Sequence, residues 1–218
     1  SGHHNTAVGA QSMKVATSAR SNSALGDYTL YALTTGDQNV AIGHGSMRQC
    51  TTGGQNTCVG AGAVGDNVAA GQAITTGDHN TLIGNRAGYQ ITTSLRNTFI
   101  GYNSGKTTQA ESAIAIGERS GETNQGNSSI AIGEKSAYEN QAASSIAIGE
   151  NSGGLNQASN SIAIGRYAGS ENQGQKSIAI GDSAGKFNQG KGAIAIGYYA
   201  GYPTGQAAGS VIINGGTD

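Results

Sequence analysis

The sequence predicts an all-β fold, a parallel β-solenoid whose coils contain roughly 16 to 17 residues each. A motif ending in Ile-Ala-Ile-Gly recurs at a constant period along the second half of the chain, as from Gly117 to Gly133 and Gly149. A sister motif, Asn-x-x-(Val, Leu or Ile)-Gly, recurs at a slightly longer period in the first half, with one extended step from Gly60 to Gly84. A period this short cannot contain a separate domain, so each period corresponds to one coil of a continuous stack.

The composition supports a thin, regular core rather than an ordinary globular one. The chain has 37 glycines, one proline and no tryptophan among 218 residues, and only 11% of its residues are charged. A disordered chain would lack the periodic aliphatic residues found here. The net charge of -1 gives no reason to expect a nucleic-acid partner, and no apolar run is long enough to insert into a membrane.

Each motif reads as a three-residue strand with two different faces. A sizeable aliphatic residue always precedes the motif glycine, and alanine stands before it in nine of twelve repeats. Alternate residues of a strand share a face, so we expect the isoleucines to point into the coil and the alanines to point away from it. The predicted core isoleucines are Ile116, Ile130, Ile132, Ile146, Ile148, Ile162, Ile164, Ile178 and Ile180.

The glycine that closes each motif predicts a bend after the strand, where a side chain would collide or a positive φ is required. In the second half these motif glycines are Gly117, Gly133, Gly149, Gly165, Gly181 and Gly197. The motif type predicts two sub-arrays, 1–101 with 17-residue coils and 102–218 with 16-residue coils. The extended step predicts an inserted loop at about 61–74, and residues 205–218 predict a final imperfect coil.

A coil this short encloses little volume, which predicts assembly of several chains. Two buried isoleucines contribute roughly 1.5 to 3 kcal/mol each, whereas ordering the backbone costs roughly 1 to 2 kcal/mol per residue. Hydrogen bonds between coils reduce this deficit. We therefore expect the alanine faces of several copies to pack around a shared axis, and threefold closure suits a fibre.

The motif resembles a known family of repeats. SIAIGEKSA, residues 129–137, is similar to the head repeats of YadA-type trimeric autotransporter adhesins. NTAVGAQSM, residues 5–13, and the TTGDQNVAIG stretch that ends at Gly43 resemble related repeats of phage tail-fibre and large-virus surface proteins. The resemblance implies a left-handed parallel β-roll and a homotrimer.

Two groups of side chains are candidates for binding. Tyr167, Tyr198, Tyr199 and Tyr202 gather near the end of the chain, where exposed aromatic rings can stack on sugars or simply cover a β-surface. Glu118, Glu134 and Glu150 should form a column that either binds a divalent cation or stays solvated beside Arg119 and Lys135. Leu155 and Phe187 are candidates for contact with a neighbouring chain.

The first functional expectation is a structural and adhesive rod of a viral or phage fibre, on the virion surface or tail, that acts as a spacer and binds a cell-surface receptor, with carbohydrate as the expected ligand. The alternative is the head of a bacterial trimeric autotransporter adhesin at the outer-membrane surface. An ice-binding solenoid is a third class, but Thr6, Thr57, Thr81 and Thr98 form only a broken ladder. No nucleophile with a base is readable, so we expect no enzyme, no cofactor and no metal site.

Overall fold

The computed structural model describes residues 2–62, 68–107 and 110–215. The fold is an all-β parallel β-solenoid with coils of about 16 residues. The chain divides into two compact units, Ser1–Ser112 and Ala113–Asp218. The sub-array boundary after residue 101 stays a prediction. Residues 63–67 of the inserted loop and residues 216–218 of the last coil lie outside the described residues.

In the first unit, the described parts of the chain form a stack of six short strands. All pair in parallel and in register, so each triplet lies over the same triplet of the next coil. The strands are β1 Thr6–Val8, β2 Ser23–Leu25, β3 Val40–Ile42, β4 Thr57–Val59, β5 Thr81–Ile83 and β6 Thr98–Ile100.

The described residues of the second unit form nine strands in two parallel sheets. Its main stack follows the Ile-Ala-Ile motifs, and β8 pairs with β10 in a separate two-stranded sheet. The strands are β7 Ile114–Ile116, β8 Thr123–Gln125, β9 Ile130–Ile132, β10 Glu139–Gln141, β11 Ile146–Ile148, β12 Ile162–Ile164, β13 Ile178–Ile180, β14 Ile194–Ile196 and β15 Val211–Ile213.

The prediction that the isoleucines point into the coil and the alanines away from it is wrong. The central residue of the triplet points into the coil, and Ala131, Ala147 and Ala163 are fully buried. The flanking isoleucines face outward and remain half-buried or exposed in the single chain. This holds for all the predicted core isoleucines, which are Ile116, Ile130, Ile132, Ile146, Ile148, Ile162, Ile164, Ile178 and Ile180. The physical reason is volume, because so small a coil has room for a methyl group from each strand but not for two sec-butyl groups.

The two units fill their interiors differently. The first has an apolar core, with Leu30, Leu33, Met47, Ile74 and Phe99 fully buried. The second has a core of alanine and serine, where Ser136 Oγ donates to Ala147 O at 2.8 Å and Ser152 Oγ donates to Ala163 O at 2.8 Å. Because the alanines and serines inside the second unit are small, they leave space for a column of longer polar side chains.

That column consists of glutamines. Gln141, Gln157 and Gln173 are buried, and the Nε2 atom of each donates to the carbonyl of an isoleucine in the stack at 2.7 to 2.8 Å. The preceding asparagines form a second, exposed ladder, in which Asn140 Nδ2 donates to Asn156 Oδ1 at 3.0 Å. Both ladders run along the stack because the coils are in register.

The first unit replaces the glutamine column with a buried asparagine ladder. Asn39 Nδ2 donates to Asn22 Oδ1 at 3.0 Å and to Gly53 O at 2.8 Å, so one amide joins two neighbouring coils to its own. The same pattern repeats at Asn56 and Asn80. Each asparagine satisfies main-chain groups that would otherwise be buried without partners.

The motif glycines permit close stacking of the coils. Gly149 has a φ of 127°, and a Cβ atom there would lie 2.7 Å from Gly165 O in the next coil. Gly117, Gly133, Gly165, Gly181 and Gly197 share the positive φ. A side chain at this position would therefore force adjacent coils apart.

Cys50 and Cys58 are both free thiols with no exposed surface. Burial raises the pKa of Cys50 to about 12, since the thiolate would lose its hydration. Burial also raises the pKa of Cys58. The described part of the chain contains no apolar helix long enough to cross a bilayer.

Candidate ligand-binding surface

The tyrosines singled out from the sequence occupy fixed positions in the repeat. Tyr198 and Tyr199 directly follow β14 and its glycine, and Tyr167 takes the position of Tyr199 two coils earlier. Tyr167 and Tyr199 have positive φ values of 56° and 55°, which are uncommon for residues other than glycine. Tyr199 N donates to Asp182 O at 3.0 Å, and this bond to the preceding coil holds the backbone in place.

The structure brings three of the four tyrosines into ring contact. The Tyr198 and Tyr199 ring centroids are 4.4 Å apart in an edge-to-face arrangement, and those of Tyr199 and Tyr202 are 4.8 Å apart. Tyr198 is 53% exposed and Tyr202 is 41% exposed. Edge-to-face contact fixes the rings relative to one another while leaving ring surface open to solvent.

Two residues that were not predicted to belong to this surface complete it. The Lys186 ammonium lies 4.7 Å from the Tyr167 ring centroid and 5.9 Å from that of Tyr202, so it connects the fourth tyrosine to the others. The Phe187 ring lies 5.8 Å from Tyr202, centroid to centroid. The sequence contains a signal that Lys186 lies beside Tyr202, because the two residues stand at the same offset from a motif glycine, Gly181 and Gly197 respectively.

An ion pair borders the aromatic surface. Arg166 Nη2 lies 2.8 Å and Nε 3.1 Å from Asp182 Oδ2, one coil away. The hydrogen bond from Arg166 lowers the pKa of Asp182, and the same bond raises the pKa of Arg166. Arg166 also lies 5.4 Å from the Tyr167 ring centroid. The surface therefore combines flat apolar rings with fixed charges.

The other candidate residues lie elsewhere on the second unit. In the acidic column, Lys135 Nζ lies 3.5 Å from Glu134 Oε1, the arrangement of a solvated column eased by an adjacent cation. Arg119 instead forms an ion pair with Glu122, in which Nε lies 2.7 Å from Oε2. Leu155 is 38% exposed and occupies the same column as Phe187, with Glu171 between them.

Comparison with known proteins gives no match: no family model, no curated protein and no solved structure is significantly similar to the chain. The function must therefore be argued from the geometry of the molecule.

Proposed function

We propose that this chain forms part of a homotrimeric, left-handed β-roll in a viral or phage surface fibre, where it acts as a spacer and binds a glycan receptor. The observation that supports the proposed trimer is the outward orientation of the motif's aliphatic residues. The proposal is a binding function without catalysis, and its partners are two further copies of the chain and a cell-surface carbohydrate.

The outward aliphatic residues form one apolar column along the first unit, at the position before the motif glycine, and two apolar columns along the second unit. In the first unit Leu25 is 51% exposed and Ile42 is 38% exposed. In the second unit Ile180 is 36% exposed and the terminal Ile213 is 71% exposed. Continuous apolar surface of this kind is typical of interfaces between proteins. Closure about a threefold axis would cover the columns of all three chains together.

The aromatic surface supports the receptor part of the proposal. Flat exposed rings bind the apolar faces of sugars, and the neighbouring Arg166, Asp182 and Lys186 offer hydrogen-bond donors and acceptors for hydroxyl groups. The backbone hydrogen bonds of the stack fix Tyr167 and Tyr199, so little side-chain ordering is needed on binding. A stack of coils that carries such a surface suits attachment to a glycan-covered cell.

Light scattering of the purified chain tests the assembly. We expect a mass of three times 21.7 kDa. Ile148→Asp should yield folded protein of lower mass, because a carboxylate on the outward column would be buried at the interface. Asn151→Asp, which adds the same charge shortly after Gly149, is the matched control and should leave the mass unchanged. A stable wild-type monomer would contradict the proposed trimer.

A glycan array tests the receptor. We expect the wild type to bind, and we expect the double variant Tyr199→Ala and Tyr202→Ala to lose about fivefold to 150-fold in affinity, because aromatic stacking supplies about 0.5 to 1.5 kcal/mol per ring. The variant Tyr28→Ala, on the first unit, is the control. Equal binding by all three proteins would show that the aromatic surface is not the receptor site.

One observation favours ice binding as a second candidate function. The first unit carries a threonine ladder that differs from the broken series noted above, with pairs at Thr34–Thr35, Thr51–Thr52, Thr75–Thr76 and Thr92–Thr93. The second threonine of each pair is exposed, while Thr34, Thr51 and Thr75 donate their hydroxyls to the next coil, as Thr34 does to Thr51 O at 2.9 Å. A thermal-hysteresis measurement decides this candidate, and freezing-point depression that is lost in Thr52→Val would support it.

A further inference from the structure

A polar hollow of about 480 Å³ opens on the first unit, well separated in sequence from the tyrosines of the second unit. Its walls come from the turns that precede β2, β3, β4 and β5. Asp37 and Asp78 lie on its two sides, Thr35 and Thr52 along one edge, and Gly54 between the aspartates.

The hollow arises from one departure from the repeat. The turns read TTGDQN at 34–39 and TTGDHN at 75–80, but the intervening turn reads TTGGQN at 51–56. Three consecutive coils therefore present aspartate, glycine and aspartate at the same position. Gly54 has no side chain where the coils on either side carry a carboxylate, and the missing side chain leaves space between them.

The same departure leaves a main-chain donor without its usual acceptor. Asp37 Oδ1 accepts from Arg20 N at 2.6 Å, and Asp78 Oδ1 accepts from Gly54 N at 2.6 Å, each from the preceding coil. An aspartate at position 54 would accept from Asp37 N in the same way. With glycine there, Asp37 N has no hydrogen-bond acceptor among the described residues, and it lies 3.6 Å from the point where a Cβ of residue 54 would stand.

The second oxygen of each flanking carboxylate, Oδ2 of Asp37 and of Asp78, has no hydrogen-bond partner in the described chain. The hollow thus presents acceptors on two sides and an N–H donor between them. A ligand that fits must donate and accept within a few ångströms, as hydroxyl groups do. An anionic ligand would be repelled by the two carboxylates, and Arg20, which also lines the hollow, offsets part of their attraction for a cationic ligand.

We propose that this hollow binds a neutral saccharide through its hydroxyl groups, at a site independent of the tyrosine surface. Threonine hydroxyls and the Gln38 and Gln55 amides extend the polar lining along the stack. Gln55 Nε2 donates to Gln38 Oε1 at 2.9 Å, which fixes both amides. The site needs no aromatic ring, so it can act whether or not the second unit binds a glycan.

Gly54→Asp is the decisive variant, because it converts the turn to the sequence of residues 34–39 and fills the hollow. The φ of Gly54 is not in the left-handed region, and the nearest atom to an added Cβ is Asp37 O at 3.0 Å, so only a small adjustment is needed. We expect this variant to stay folded, because the hydrogen bond that the new carboxylate accepts from Asp37 N offsets part of its repulsion with the carboxylates of Asp37 and Asp78. Thr52→Val is a second, milder variant that removes one hydroxyl.

Binding is measured by calorimetry on the full chain with five hexasaccharides: β-1,4-linked glucose, α-1,4-linked glucose, β-1,4-linked N-acetylglucosamine, α-1,4-linked galacturonic acid and β-1,4-linked glucosamine. We expect at least one neutral hexamer to bind, Gly54→Asp to weaken it at least tenfold, and Thr52→Val to weaken it several-fold. The Tyr199→Ala and Tyr202→Ala double variant should bind that hexamer as the wild type does.

Three results would overturn the proposal: no neutral hexamer bound by the wild type, neutral binding unchanged in a folded Gly54→Asp, or binding of the acidic or amine-bearing hexamer alone. Neutral binding lost only in the tyrosine double variant would also place the sugar on the aromatic surface instead. The binding proposed for the hollow and the binding proposed for the tyrosine surface can therefore be contradicted independently.

Discussion

At the scale of single residues in the second unit, the size of a side chain decides whether it lies inside or outside the coil. Ala147 is fully buried in contact with Ala131 and Ala137, whereas Ile146 and Ile148 on either side of it face outward. The interior admits one carbon beyond Cα at this position. The alternation of the triplet predicts two faces, but only the interior volume decides which face is inside.

Enlarging a buried alanine tests this assignment. Ala147→Leu should lower the free energy of unfolding by about 1 to 3 kcal/mol, because the added carbons have no space and must displace the coil. Ala143→Leu makes the same change at an exposed position and should have little effect. Denaturant unfolding measures both variants. Equal effects would show that the interior is loosely packed.

Removing a buried glutamine tests the inner ladder. Gln157→Ala should cost about 1 to 3 kcal/mol, because Ile146 O and Gln141 Nε2 both lose a partner. The exposed ladder provides the control: Asn156→Gly keeps the positive φ of 56° favourable and removes only solvent-exposed amide bonds. Thermal unfolding that ranks the glycine variant below the alanine variant would contradict the importance of the buried column.

The two thiols should be unreactive in the folded chain. The pKa of Cys50 is about 12, so almost no thiolate exists at pH 8. In the unfolded chain both thiols return towards their ordinary pKa and react. The raised pKa stabilises the fold fully below pH 9, and this contribution is lost as the pH rises from there towards 12. Rapid labelling by iodoacetamide without denaturant would contradict the burial.

At the scale of one coil, the bend after each strand determines how closely the coils stack. The motif glycine combines a backbone conformation that disfavours other residues with a contact to the next coil, as at Gly149. The turn at the opposite side is instead held by polar ladders, which tolerate some variation in sequence. This difference explains why the bend keeps its glycine in every repeat up to Gly197, while the turn varies.

Gly149→Ala should therefore disrupt the stack. The strained backbone alone costs about 1 to 3 kcal/mol, and the clash with Gly165 O adds to it. Gly192→Ala is the matched control, since Gly192 also has a positive φ but no atom within 4 Å of its added Cβ. We expect the first variant to melt well below the second in a calorimetric scan. Equal melting temperatures would mean that the contact between coils is unimportant.

At the scale of the whole molecule, the period predicts the architecture and the coil length, because backbone pairing in register requires equal repeats. The tyrosines are recognisable in the sequence because they gather near the end of the chain. Lys186 and Phe187 were missed as members of the aromatic surface, because they lie on a neighbouring coil and meet the tyrosines only when the coils stack. The turn sequences show that Gly54 departs from the repeat, but the hollow that results forms only when the coils on either side stack against it.

Because each coil touches only its neighbours, damage should remain local. Ala147→Leu should accelerate hydrogen exchange in β9, β11 and β12 and leave β14 close to the wild-type rate. Hydrogen exchange is measured by mass spectrometry on peptides from each coil, which shows how the acceleration decreases with distance from Ala147. Uniform acceleration across all peptides of the second unit would instead indicate a single cooperative transition.

The register of the second unit has a genetic consequence. Equivalent atoms recur once per coil, so deletion of residues 142–157 would rejoin the chain at equivalent points of two coils. Recombination between such repeats in the gene would shorten or lengthen the protein by whole coils without a frameshift or a mismatched junction. The length of the stack is then a quantity that selection can adjust in steps of about 4.8 Å, independently of the surfaces for which binding is proposed.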